Sequence, residues 1–391
     1  MNFLKLALPV MIALAFASAH AVTPPTGVAQ TGSLGKNLGN TTVFSFTEST
    51  MGASSTVHGS YWSGGVITSG ASGTVNGNFT SVGAATIGDH AKITGNIKSG
   101  GVLTVGDTGN VSGYALSGGA ATVGANGQIA GDLRAGGVIT VGANAIINGA
   151  VTGPSMPVIS ASATVGSARV ANSAEAVNSS ALTDSLKAQN VAGGKLIADA
   201  QSALAQMQTS TSLIAAQTTD RTFYAGVYEA ASWTTTAGIT ITLDAEHKDN
   251  ASFIFNFSDI FSTGAGTKIK LINAGANDSV IWNSYGAGGY AQLGASTDLI
   301  GTILATTYIE VGASSHVTGV DNACGGVYSA TSYVHGGASA VIGGTGCNFG
   351  ATAAVTPDST VGAVPEPGTY AMLMAGLGAV GFVARRRRAS I

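Results

Sequence analysis

The sequence predicts an all-β chain: a β-solenoid (β-helix) with 18-residue coils and a long α-helix packed alongside. Three observations carry that expectation. Gly59, Gly77, Gly95, Gly113, Gly131 and Gly149 recur every 18 residues without an insertion, and self-similarity at so short a period means stacked coils. Two residues before each stands a β-branched side chain, Val57, Val75, Ile93, Val111, Ile129 or Ile147. Further on the glycines thin out and Leu196, Ile197, Ala200, Leu204 and Met207 fall at helical spacing. With 57 Gly among 391 residues and only 9% charged, the chain draws its polarity from hydroxyls, amides and backbone. The overall charge of −3 gives no basic surface for nucleic acid.

Residues 1–21 read as a secretory signal peptide. Lys5 precedes an apolar run from Leu6 to Phe16, and Ala19-His20-Ala21 supplies small residues for cleavage after Ala21. The run is too short to cross a bilayer. Residues 22–364 then hold 11 basic and 18 acidic side chains, a net charge of −7, which disfavours adhesion to anionic surfaces.

Residues 22–153 form the N-terminal solenoid repeats. Eighteen residues suit three short strands joined by glycine corners, stacked at an interstrand spacing of ~4.8 Å. A second phrase in the same register ends at Gly70, Gly88, Gly106, Gly124 and Gly142. Alternation turns Leu103 and Val105 inward and the residue between them outward. That outward column is Thr68, Thr86, Thr104, Thr122 and Thr140, and beside it stand Val66, Ala84, Val102, Ala120 and Val138. The column has two readings: ordinary cross-strand threonine pairing, and a flat hydroxyl-and-methyl face that orders water into an ice-like layer.

Residues 172–217 are expected to be helical, as one or two helices interrupted at Gly193-Gly194, with the apolar stripe packed on the solenoid flank. Residues 218–350 form a second β block of longer strands. Here the order Ala225-Gly226-Val227-Tyr228, Leu243-Asp244-Ala245, Ala251 to Phe255, Leu271-Ile272-Asn273, Val280-Ile281-Trp282, Gly301 to Ala305 and Val317-Thr318-Gly319 resembles the ice-binding-protein-like family, over roughly residues 195–320. The resemblance implies a β-solenoid with a helix along it. Some family members bind ice and others serve in adhesin-like proteins, so it implies fold more strongly than function. The six regular coils ahead of the helix depart from the family pattern, and a single discontinuous stack is favoured over two solenoids. Thr240 and Thr242 of the Ile-Thr-Ile-Thr strand are a second candidate ice-binding pair.

The cysteines, Cys324 and Cys347, are expected to form a structural disulfide in an oxidising compartment, tying down the last coil at an otherwise open solenoid end. Residues 351–363 read as a linker. In residues 364–391, Pro365-Glu366-Pro367 precedes an apolar segment from Ala371 to Ala384 and four arginines, Arg385 to Arg388. This tail resembles the PEP-CTERM sorting signal. The resemblance implies an exosortase-type processing enzyme, transient anchoring by a C-terminal transmembrane helix in the inner membrane, and delivery to the surface of a Gram-negative, exopolysaccharide-producing bacterium.

No catalytic constellation, metal set or cofactor motif is apparent in the sequence, and the expectation is a protein that is not an enzyme. Asp244, Glu246, His247 and Asp249 read as a solvated turn, and Asp89, Asp107 and Asp132 as corner residues. Trp233, Trp282, Tyr224 and Tyr228 suit sugar stacking, but three of them fall inside core-like strand patterns. The expected partner is ice with its ordered water. The alternative is extracellular polysaccharide, met by a non-enzymatic adhesin or biofilm matrix protein.

Overall fold

In the computed structural model of the protein, residues 33–344 are described apart from 167–168, 173–174 and 321–322. The expectations for residues 1–21, 351–363 and 364–391, and for Cys347, Pro365, Glu366 and Pro367, lie outside the described residues.

Three parallel sheets enclose the core, and each coil contributes one short strand to each sheet in turn. Among the described residues sheet A has 14 strands and sheets B and C 13 each. In the 18-residue coils alternation buries stacked files on all three sheets. Tyr61, Phe79, Ile97, Ala115, Leu133 and Val151 line sheet A; Ile67, Ala85, Leu103, Ala121 and Ile139 line sheet B; Val57, Val75, Ile93, Val111, Ile129 and Ile147 line sheet C. Leu103 and Val105 point inward as alternation requires.

The corner between sheets B and C explains one glycine file. A Cβ on Gly70 would lie 2.5 Å from the carbonyl carbon of Gly52 in the coil below, so stacking leaves no room for a side chain. The left-handed backbone of that corner is taken by other residues, Ser54, Ser72, His90, Thr108, Asn126 and Asn144, with φ between 56° and 60°. Each of the first five of these donates its N–H to a carbonyl of the next coil, as Ser72 does to Asp89 at 2.8 Å, which holds the unusual conformation in place.

The order of coils is not the order of the chain. The first coil (Thr41–Ser45, Ser49–Met51, Thr56–Val57) lies at mid-stack, and coils add upward from it to a top coil ending in Arg169–Ala171. The chain then returns along the whole stack and begins again at the bottom with Thr211–Ser212, Ala216–Gln217 and Arg221–Tyr224. From there it climbs until its last coil (Gly326–Ser329, Val334–Gly336, Val341–Ile342) meets the first. That joint is made on all three sheets, Val43 opposite Val327, Thr50 opposite His335 and Val57 opposite Ile342. The two β blocks are therefore one stack. The last coil is not at an open end, and a bridge from Cys324 lies beside the joint rather than at a terminus. Strands also continue past residue 153 to Ala171, and Thr211–Ser212 and Ala216–Gln217 are strands rather than helix.

Coils below the joint are not uniformly of 18 residues. Ile260 pairs with Tyr290 thirty residues on, whereas Ala291 pairs with Ile309 eighteen residues on. The wider coils hold an aromatic core in which Trp282 stacks on Phe255 at 4.2 Å and on Phe261 at 4.9 Å. At the bottom coil Arg221 shares the register of the inward Ile241, and its guanidinium sits 4.6 Å over the Phe223 ring. An inward charge of this kind blunts an exposed sheet edge against further pairing.

Helix α1 (Ser33–Asn37) precedes the first strand, and helix α2 (Ser179–Ala205) returns the chain along sheet A. Asn178 caps α2 by accepting from the Ala181 N–H at 3.1 Å. Contrary to expectation α2 is unbroken at Gly193-Gly194. These glycines are points of close approach: a Cβ would lie 2.5 Å from the Phe44 ring at Gly193 and 2.6 Å from the Phe46 ring at Gly194. The buried face, Leu186, Asn190, Gly193, Gly194, Ile197, Ala200, Gln201 and Leu204, docks through polar contacts as well as apolar ones. Thr183 donates to the Gly100 carbonyl at 3.1 Å, Asn190 to Phe46 at 3.0 Å and Gln201 to Ser284 at 2.9 Å. From Ser179, which donates to the Gly118 carbonyl, to Gln201 the helix rises about 33 Å at ~1.5 Å per residue. The seven coil steps from Gly118 to Ser284 rise about 34 Å at ~4.8 Å each, so helix and stack keep pace.

Candidate functional site

With α2 on sheet A, sheets B and C are left uncovered by helix. On sheet B the expected threonine column forms. Thr68 lies opposite Thr86, Thr86 opposite Thr104, Thr104 opposite Thr122, and Thr122 opposite Thr140. The column begins one coil earlier than the phrase alignment indicates, because Thr50 lies opposite Thr68. Stepping the 18-residue period back once from Thr68 finds it, although the Ser-Thr-Met phrase around Thr50 departs from the motif. Six threonines thus stand in unbroken register at ~4.8 Å. None of their hydroxyls bonds to protein among the described residues, leaving all of them to water.

Two residues earlier in each coil from Thr68 upward stands the apolar column, whereas before Thr50 the same position is Glu48. Val66, Val102 and Val138 are exposed at 47%, 46% and 52%, and Ala84 and Ala120 are half-buried between them. The array changes at the joint. Below Thr50 the same file continues as His335, Glu310, Gln292, Ser262 and Thr234. The apolar file is replaced by Tyr333, Tyr308 and Tyr290, stacked at 5.0 and 4.6 Å. These rings lie face to face, so their faces are taken and edges are presented. Gln292 donates to Glu310 at 2.8 Å, which ties this lower half into a polar network.

The second candidate pair is on a different face. Thr240 and Thr242 are on sheet C, opposite Lys268 and Lys270, with Thr222 below Thr242. Lysines beside them break the hydroxyl-and-methyl pattern, because an ammonium holds its own hydration shell. The structure therefore does not join Thr240 and Thr242 to the sheet B column.

The remaining candidates resolve into structure. Trp233 and Trp282 are fully buried and Tyr228 nearly so, while Tyr224 is exposed. Asp244 accepts from the Glu246 N–H at 2.9 Å and from Asn273 at 2.8 Å, and both contacts hold its carboxyl below the usual range. Glu246 and His247 have positive φ and Lys248 pairs with Glu246 at 2.6 Å, so the cluster is a charged turn. No metal-binding group of three His, Cys, Asp or Glu occurs among the described residues. The three corner aspartates accept from backbone: Asp89 from the Asp107 N–H, Asp107 from Ala125 and Asp132 from Ala150, at 2.8 to 2.9 Å.

Cys324 is buried and disulfide-bonded. Among the described residues no helix is long and apolar enough to cross a membrane. The last strand of sheet C is Val341–Ile342. Each coil turns from sheet C back to sheet A at the vertex opposite sheet B.

Comparison with known proteins adds the following. Residues 141–335 match the family model described as ice-binding-like, and residues 363–388 match the PEP-CTERM protein-sorting motif. Ice-binding protein 1 of Shewanella frigidimarina is 32% identical over 95 residues, which are 24% of this chain and 10% of that protein. The match thus spans about a tenth of that relative's length. The ice-binding protein of the Antarctic ascomycete Antarctomyces psychrotrophicus aligns with 79% of this chain and 96% of its own, at 14% identity and a TM-score of 0.40. That of an Antarctic Flavobacteriaceae bacterium aligns with 78% and 82%, at 15% identity and a TM-score of 0.31.

Proposed function

The chain belongs, through residues 141–335, to the ice-binding-like family, and from that premise we propose that it adsorbs to ice through the upper half of sheet B. The observation that carries this reading is the file of Thr50, Thr68, Thr86, Thr104, Thr122 and Thr140 in unbroken register, flanked from Thr68 upward by small apolar side chains. Hydroxyls at fixed spacing hold water in a fixed lattice, and the methyl and valyl groups between them leave that water no competing partner. A layer ordered in this way before contact loses little further entropy on joining a crystal. Rigid strands matter for the same reason, since a mobile face would have to be ordered at the moment of binding.

The sorting-motif match supports export followed by exosortase processing, with the signal peptide, the disulfide to Cys347 and the domain limits read from sequence belonging to the same proposal. It also favours a second reading, a surface or matrix protein in contact with extracellular polysaccharide.

The test is ice-crystal shaping and thermal hysteresis by the purified protein. Thr104→Tyr with Thr122→Tyr is expected to abolish hysteresis and leave the far-ultraviolet spectrum unchanged. Full hysteresis in that variant would remove the column from consideration, and unshaped crystals with the wild-type chain would leave only the matrix reading.

A further inference from the structure

A groove runs over the part of sheet A that α2 leaves open. Its two connected parts, of about 200 and 310 Å³, share Leu38, Gly39, Trp62 and Gln189. The floor is a file in register, Trp62, Thr80 and Lys98. One wall is α2 and the far rim is the corner file Asn78, Asn96 and Tyr114.

The lining is unusual for this molecule. Among the described residues no carboxylate lines either part, although acidic side chains outnumber basic ones in the chain, and Lys98 is in no ion pair. Asn78 and Asn96 accept the backbone N–H of Asn96 and Tyr114 through Oδ1, at 2.9 and 3.0 Å. Their orientation is thereby fixed, with the Nδ2 amides left as donors. Trp62 is held by its own bond from Nε1 to Asn190 at 2.9 Å and stacks on Phe44 with an interplanar angle of 6°. The groove therefore offers a fixed indole, two oriented amide donors, hydroxyls and one unpaired cation.

We propose that this groove binds an acidic glycan, a chain of sugar rings carrying carboxylates. The C–H face of a sugar ring matches an indole, its hydroxyls match amides and hydroxyls, and its carboxylate matches Lys98 in a cleft free of competing acids. An extended acidic peptide fits less well: the strands flooring the groove are paired on both sides, so no open edge remains to receive its backbone. The site stands on a different face from the threonine column and does not depend on ice as a ligand.

Isothermal titration of the full chain with a galacturonate tetramer, maltotetraose and hexaglutamate tests the proposal. The expected result is binding of the acidic tetramer, weakened at least tenfold by Lys98→Glu and unaffected by Lys187→Glu on the exposed side of α2. An unchanged melting temperature and unchanged ice-crystal shaping in Lys98→Glu would show that the fold and the other face are intact. No heat with the tetramer at millimolar concentration, equal binding of maltotetraose, or tighter binding of hexaglutamate would each overturn it. So would binding that appears only after residues 22–32 are removed, since the groove would then be a seat for the chain's own leading segment.

Discussion

Above the joint the stack is regular and thin-cored; below it the coils vary in length and close on aromatic rings. The upper core is built mostly from one or two aliphatic side chains per strand, such as Ile97, Leu103 with Val105, and Val111. The lower one is built from Trp233, Phe255, Phe257, Phe261 and Trp282, stacked on one another. The outer face of sheet B follows suit, threonine and valine above, tyrosine, glutamine, glutamate and histidine below. A constant period places identical residues at identical heights, and that makes a repetitive surface. The irregular half gives up that surface and buries larger side chains, and it supports the inner end of α2 through Ile254, Ile281 and Leu304.

If core size is what separates the halves, Trp282→Ala should be the most damaging change, at about 3–5 kcal/mol, against about 1 kcal/mol for Ile97→Val above the joint. Urea unfolding measures both, and comparable losses would mean that the two cores are equally tolerant. The next test concerns the helix that spans them. Gly193→Ala gains about 1 kcal/mol of helix propensity, but its Cβ meets the Phe44 ring at 2.5 Å, and overpacking of this kind costs about 1–3 kcal/mol. A net destabilisation of about 1 kcal/mol is expected, and a rise in melting temperature would show that Phe44 yields easily.

The smallest effect is expected at the joint itself. His58 is lowered below its ordinary value of 6.5 because it is half-buried, and its Nδ1 lies 3.1 Å from Asn76 Nδ2, an arrangement that suits the neutral ring. The folded state thus disfavours the proton that the unfolded chain accepts. Stability present above pH 6.5 should fall as the pH drops through the depressed value. In His58→Gln the slope of stability between pH 7 and 5 should be shallower, and an unchanged slope would assign it to other groups.

The upper half was legible because its signals are local. Glycine spacing, the β-branched file and the threonine column all repeat within one period, and the structure returns them at the expected residues. The lower half was legible by resemblance, since coils of unequal length show no period. What sequence did not reveal depends on distance. Gly193-Gly194 looks like a helix break until Phe44 and Phe46 are placed against it, more than a hundred residues away in the chain. Thr240 and Thr242 look like the sheet B threonines until their strand is assigned to sheet C, where lysines flank them. Asn78 and Asn96 carry no motif, and only the arrangement of α2 beside them makes a groove.

The joint also sets an order of assembly. Above it, each coil finds its partner 18 residues away, a short search that can finish while the rest of the chain is still emerging. Its lower edge must wait, because the Tyr328 hydroxyl reaches the Thr41 carbonyl, and Ser45 the Ser332 carbonyl, across 287 residues. Until residues 326–342 arrive, the first coil stands as a bare edge of three strands, open to capture by any other nascent copy. Such a chain completes its interior last at its centre. Truncation before residue 326 is then a more hazardous lesion than loss of the top coil.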